Sequence, residues 1–164
     1  MEESKPFPVK KTSVILMVVF TALTYGIYYC AWFLVRKKSL NQLSRSRKIG
    51  SWVFILCILL ITVQIMLGFG SGVLQGMAEA LNNPAYLTHI PLLNGIDKGL
   101  NLIVALLWLI QCFKVKAILE DHLKSKDPFA LSLSGLATWF FGAFYLQYRI
   151  NKIHKEVGAG ADSV

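Results

Sequence analysis

Four long apolar stretches, divided by short polar or basic segments, fill most of the chain. They run from Ser13 to Val35, Trp52 to Leu74, Gly99 to Phe113 and Phe129 to Tyr148. The first, second and fourth hold about 20 residues or more, enough for a helix to cross the ~30 Å hydrocarbon core of a bilayer. A helix satisfies its own backbone hydrogen bonds, so helices side by side are the expected fold in lipid. The pattern predicts an all-α integral membrane protein, a small bundle of four hydrophobic helices near 13–36, 50–80, 97–123 and 128–154. These form one membrane domain over 13–157. A polar, flexible N-terminal tail is expected at 1–12, and a disordered C-terminal tail at 158–164.

Local signals place the ends of these elements. Arg36, Lys37 and Lys38 stop the first stretch after the aromatic group Tyr28, Tyr29, Trp32 and Phe33, which suits an interfacial belt. Asn82-Asn83-Pro84 breaks the second. The third continues past Lys114 and Lys116 to His122, because Val115, Ile118, Leu119 and Leu123 keep helical spacing. Asp127-Pro128 reads as the start of the fourth, with a carboxylate at the cap and a proline at the first helical position. Lys5, Lys10 and Lys11 before the first stretch resemble a secretory signal in outline. No small-residue cleavage site follows where one should fall, so the segment reads as an uncleaved anchor.

Small residues recur at every fourth position in two places. Gly68, Gly72 and Gly76, followed by Ala80, share one helical face, and Ser134, Thr138 and Gly142 share another. Such ridges let a second helix approach closely, so these six residues, three on each ridge, are the expected helix-packing positions. The glycines near Gly68 do not form a phosphate-binding loop, since no strand precedes them and no Lys-Ser or Lys-Thr follows.

Composition supports the membrane reading: 55% of residues are apolar and only 16% charged. The net charge of +8 would suggest nucleic acid in a soluble protein. Here the cations flank the apolar stretches, where they fix orientation and meet anionic headgroups, so no nucleic-acid partner is expected. The segment Arg36 to Lys48 carries six basic residues and no acid. Arg36, Lys37, Lys38, Arg45, Arg47 and Lys48 are the expected headgroup contacts, and their loop is assigned to the cytoplasm.

Two topologies differ in how they distribute the 17 basic residues. Four spanning helices place ten on one side and seven on the other. The alternative has two spanning helices plus two re-entrant helical hairpins, folding back near Thr24-Tyr25-Gly26 and Ser134-Gly135. It gathers every basic residue except Lys98 on one side. Non-helical backbone at membrane depth then needs protein around it.

The first and fourth stretches end alike. Gly26-Ile-Tyr28-Tyr29-Cys-Ala-Trp32 and Gly142-Ala-Phe144-Tyr145-Leu-Gln-Tyr148 each place a glycine before two aromatics, with a third aromatic three residues on. A weak internal repeat and a coincidence of two aromatic-rich ends both remain open. Thr21-Ala-Leu-Thr24-Tyr-Gly26-Ile-Tyr28 with Trp32, the run Leu100-Asn101 to Trp108, and Phe144-Tyr145-Leu-Gln147-Tyr148-Arg149-Ile-Asn151-Lys152 together resemble an uncharacterised bacterial membrane family, the domain of unknown function numbered four-two-three-four. The resemblance implies a multi-span bacterial membrane protein, and the bacterial cytoplasmic (inner) membrane is its expected place. It supplies no activity and no site residues.

Catalytic chemistry has little to stand on. No charge lies at the centre of any apolar stretch, which argues against a proton relay or a charged ion pathway. Neither a zinc-protease helix motif nor a Ser-His-Asp set is evident. Cys30, Cys57 and Cys112 lie inside apolar stretches, without metal-ligand spacing, and read as small apolar residues. His89 reads as a solvated loop residue and Asp121-His122 as an exposed charged turn. No cofactor or metal is expected. The favoured function is a non-enzymatic scaffold or accessory subunit acting by helix packing and anionic-lipid contact, alone, as a homo-oligomer or with another membrane protein. The alternative is a small oligomeric channel or transporter subunit.

Overall fold

A computed structural model of the chain describes residues 7–44, 47–126 and 132–161. Among these, every regular element is helical: α1 (Val14–Leu23), α2 (Ile27–Leu43), α3 (Trp52–Ala80), a 3₁₀ turn (Pro84–Leu87), α4 (Ile90–Lys126) and α5 (Gly135–Ala161). The expected helices at 50–80 and 97–123 correspond to α3 and α4, although α4 begins earlier than expected. Both are long and apolar enough to cross a membrane, whereas α1 is a shorter apolar helix.

The first apolar stretch is not one helix. It breaks at Tyr25, with φ 50°, and Gly26, with φ 90°. The chain then runs back on itself, so that Arg36 near the middle of α2 reaches Thr12, just before α1 begins. The broken ends are tied by the chain's own groups. The Ser13 hydroxyl accepts from the Leu16 amide, and the Gly26 amide donates to the Thr21 carbonyl at 2.8 Å. At the start of α2 the Thr24 hydroxyl accepts from the Tyr28 amide at 2.9 Å, which satisfies one of the amides that the first turn of a helix leaves free.

The fourth stretch breaks too, though not where the sequence suggested. Ser134-Gly135 is the beginning of α5, with the Ser134 hydroxyl accepting from the Ala137 amide. The break lies seven residues later, at Gly142, with φ 49° and ψ −126°. In a straight helix Ser134 and Tyr145 would stand ~16 Å apart along the axis. Here the Ser134 amide donates to the Tyr145 hydroxyl at 3.0 Å, so the short limb before Gly142 folds against the long limb after it. The expected start at Asp127-Pro128 lies outside the described residues. At the other end α5 runs to Ala161, into the segment expected to be disordered.

The expectation of four continuous helices therefore holds for two. The backbone has the form of the alternative: two long helices and two folded-back hairpins. Both hairpin tips meet α4 near its middle, Gly26 beside Trp108 and Gly142 beside Cys112. Both bases lie at the opposite end from the 3₁₀ turn. There Thr12 contacts Asn151, the Leu133 amide donates to Glu120, Lys37 donates to Ser51 and Arg47 pairs with Asp121. This is the basic end. The core occupies the half of the molecule between it and the tips, around Trp32, Phe33, Phe54, Ile118, Leu119, Leu146 and Ile150.

The N-terminal tail is corrected in part. Phe7 and Val9 are buried. Phe7 sits between His122 and His154, with ring centroids 5.6 and 5.2 Å away, and the Val9 carbonyl meets His154. Residues 7–12 thus close over the base of both hairpins.

Candidate functional site

A helix broken in an apolar environment exposes amide groups that no water can satisfy, so each break needs a partner. The Gly142 break frees the Ala143 amide, which donates to the Tyr29 hydroxyl of α2 at 2.7 Å. That hydroxyl also lies 3.3 Å from the Cys112 thiol of α4. Tyr29 is held by a ring contact to Trp108 at 4.6 Å and an edge contact to Phe144. The Trp108 indole donates to the Cys30 sulfur at 3.2 Å. One phenol on the first hairpin therefore closes the break in the second, against α4. Tyr29→Phe is expected to cost about 1–3 kcal/mol, the penalty for a buried donor left without a partner. Thermal unfolding in detergent micelles reads this directly. An unchanged midpoint would mean that the Ala143 amide does not depend on Tyr29.

Toward the basic end, polar side chains join the two hairpins in a continuous seam. The Trp32 indole donates to the Gln147 side-chain carbonyl at 2.8 Å. The Gln147 amide donates to Asn151 Oδ1 at 2.8 Å. Asn151 in turn donates to the Thr12 carbonyl at 2.8 Å and accepts from the Thr12 amide. Arg36 ends the seam, donating to the Thr12 hydroxyl and the Lys10 carbonyl, with its guanidinium 4.9 Å from the centre of the Trp32 ring. Trp32 and Gln147 are fully enclosed. Every link from Trp32 to Thr12 is made, while Arg36 Nε at the end of the chain has no hydrogen-bond partner among the described residues; such a chain favours one arrangement of the hairpins, because another would leave more groups unpaired.

The residues singled out from sequence fall into different places. Thr138 is buried, and its hydroxyl donates to the Ser134 carbonyl. Gly142 is the hinge. A side chain there would collide with the Tyr29 hydroxyl and sit 3.4 Å from Cys112 Sγ. Ser134, Thr138 and Gly142 thus shape α5 itself. Gly68, Gly72 and Gly76 meet no atom of another described element within 4 Å of where a side chain would begin, so this ridge seats none of the described helices. Arg36 is corrected from headgroup contact to seam residue. Lys37 donates to Ser51 at 2.6 Å, Arg47 lies 3.5 Å from Asp121, and Lys38 and Lys48 are exposed. Arg45 lies outside the described residues. Sequence reasoning missed Trp32, Gln147 and Asn151 as a set, although all three stand in the repeated or family-like segments.

Two clefts complete the picture. One, of about 450 Å³, opens above the first hairpin tip and is lined by Tyr25, Gln64, Gly68, Asp97 and Asn101. The other, of about 600 Å³, lies at the basic end, with Arg47, Lys48 and Lys114 beside Leu109, Phe113 and Trp139. No protein family model, curated protein or solved structure matches this chain.

Proposed function

We propose that the chain is an integral membrane protein in which α3 and α4 span the bilayer, while the two hairpins enter from the basic side and return to it. In this reading it performs no turnover chemistry. It serves as a scaffold or accessory subunit, binding other helices and anionic lipid in the bacterial cytoplasmic membrane. The observation that carries the reading is how charge and apolar surface sort along the molecule. Arg36 bonds at Thr12, Lys37 at Ser51 and Arg47 at Asp121, all where the hairpins begin and finish, whereas the far halves of α3 and α4, from Thr62 to Val104, carry a single lysine or arginine, Lys98. Meanwhile only 22% of the most apolar window of α3 is buried, and 33% of that around α4, far less than core helices of a soluble protein require. The cleft holding Arg47, Lys48 and Lys114 pairs cations with apolar walls, which suits a lipid with an anionic headgroup. Each cation near the surface adds roughly 1 kcal/mol to such contact.

The positive-inside rule assigns the basic end to the cytoplasm. Single cysteines at Lys11, Ser39 and Lys152, in a chain with Cys30, Cys57 and Cys112 replaced by alanine, test the arrangement. An impermeant thiol reagent is expected to miss all three in intact cells and to label all three in inverted vesicles. Labelling of Lys11→Cys and Lys152→Cys from the side opposite Ser39→Cys would establish four spans instead.

A second reading, a channel or transporter subunit, draws on the polar cleft at Gln64, Asp97 and Asn101. There Gln64 donates to the Asp97 carbonyl at 3.4 Å and Asn101 to the Asp97 carboxylate at 3.2 Å. Solute flux through protein-containing liposomes, abolished by Asp97→Asn, would favour it over the scaffold.

A further inference from the structure

The two halves of the molecule differ in width. From the basic end to the tips, six helical rods lie side by side: α1, α2, α3, α4 and the two limbs of α5. Beyond the tips only α3 and α4 continue among the described residues, joined by the 3₁₀ turn. Burial follows the same division. On α3 the residues Val53, Phe54, Cys57 and Ile61 are buried, then none from Thr62 to Met77. On α4 none is buried from Pro91 to Ile103, and burial resumes at Val104 and continues through Gln111, Cys112, Val115, Ile118 and Leu119. The narrow half still carries Met66, Phe69, Leu92 and Leu102, each more than half exposed.

The depth of the step is set by helix length. The ten residues of α1 rise ~15 Å, half of a ~30 Å hydrocarbon core. The first tip therefore falls near the boundary between the two leaflets, and the second, which ends the shorter limb Gly135–Phe141, stops about one helical turn nearer the basic end, Gly142 beside Cys112 and Gly26 beside Trp108. Rods ~10 Å across make the four extra segments worth roughly 300 Å² of additional area, all of it in one leaflet.

We propose that this chain is a membrane wedge that favours, and at high density generates, anionic bilayer bulging toward its basic side. The proposal rests on the membrane reading above. Lipid fits a curved bilayer around an inclusion wider in one leaflet without stretching either leaflet, whereas a flat bilayer must compress one or thin the other. The charge pattern selects the same surface, since the cations of the wide end would lie on the outer, convex face, where anionic headgroups meet them. The hairpins are built to keep their shape: Tyr29 closes the Gly142 break, and the seam from Trp32 to Thr12 fastens one hairpin to the other.

The full chain, reconstituted into vesicles of phosphatidylcholine with phosphatidylglycerol, provides the test. Alkaline extraction first establishes insertion. Protein density per membrane area is then compared between small and large vesicles by fluorescence, and orientation is read from labelling at Ser39→Cys. The expected result is several-fold enrichment on small vesicles with the basic end outside, and tubules or shrunken vesicles at high protein density. The same comparison in vesicles of phosphatidylcholine alone is expected to keep most of the enrichment, because shape rather than charge drives it. Equal densities of inserted protein on both vesicle sizes, enrichment with the basic end inside, or enrichment lost in the uncharged vesicles would each overturn the wedge. So would dimers cross-linked through Gly72→Cys that show no curvature preference, since a second copy would then fill the narrow half. Complete release by alkali would instead overturn the membrane reading, and the wedge with it.

Discussion

Gly142→Ala is expected to destabilise the protein more than any other single change at a glycine. Its backbone, at φ 49° and ψ −126°, lies where an L residue is strongly disfavoured, a strain of about 1–3 kcal/mol for a residue held there. The added carbon would also displace the Tyr29 hydroxyl and release the Ala143 amide that it accepts from, costing roughly 1–3 kcal/mol more. Relief by straightening α5 would carry the segment Gly135–Phe141 away from α4 and expose Leu133 and Thr138, both now buried. Thermal unfolding in micelles should show a large drop in midpoint, and amide exchange at Ala143 should rise. Gly70→Ala is the matched comparison. That glycine lies within α3 and meets nothing within 4 Å, so alanine there should be neutral or raise stability by about 0.5–1 kcal/mol. Equal effects at the two positions would show that the hinge is not strained.

The sequence carried the apolar stretches, their basic stops and the division into helices, but not which stretches turn back. Length and hydropathy are the same for one helix of twenty-odd residues and for two half-length helices joined by a turn. What distinguishes them is backbone conformation at one or two positions. At the first hairpin one of those is Tyr25, a residue type that gives no sign of adopting φ 50°. The echo between Gly26 and Gly142 was the better clue, since these are the two glycines among the described residues with positive φ. Gly142 also continues the small-residue spacing of Ser134 and Thr138, and a glycine in an apolar helix serves close approach more often than a turn. Arg36 misled for a related reason. A cation after an aromatic belt ordinarily faces headgroups, and only the return of α2 beside Thr12 gives it buried partners. The spacing of Gly68, Gly72 and Gly76 correctly describes one face, yet spacing says nothing about what stands opposite.

Gln147→Leu is expected to be the most damaging change in the seam. Gln147 is completely buried and bonds in both directions, accepting from Trp32 and donating to Asn151. Leucine keeps much of the volume but strands the proton of the Trp32 indole, whose ring lies against Phe33 and the Arg36 guanidinium. Asn151 fares better, since its oxygen still accepts from the Thr12 amide. The loss should be about 2–4 kcal/mol, most of it from the unsatisfied indole, and the hairpins should separate before α3 and α4 do. Trp32→Phe removes the same bond from the other side, leaving the Gln147 carbonyl stranded. Once both are changed no polar group of the pair remains unpaired, so the double variant should lose less than the two single variants together. A coupling of about 1 kcal/mol or more in that direction is the signature of a buried bond whose halves depend on each other. Strictly additive losses would assign the damage to altered volume and remove the Trp32–Gln147 bond from the account of what holds the hairpins together.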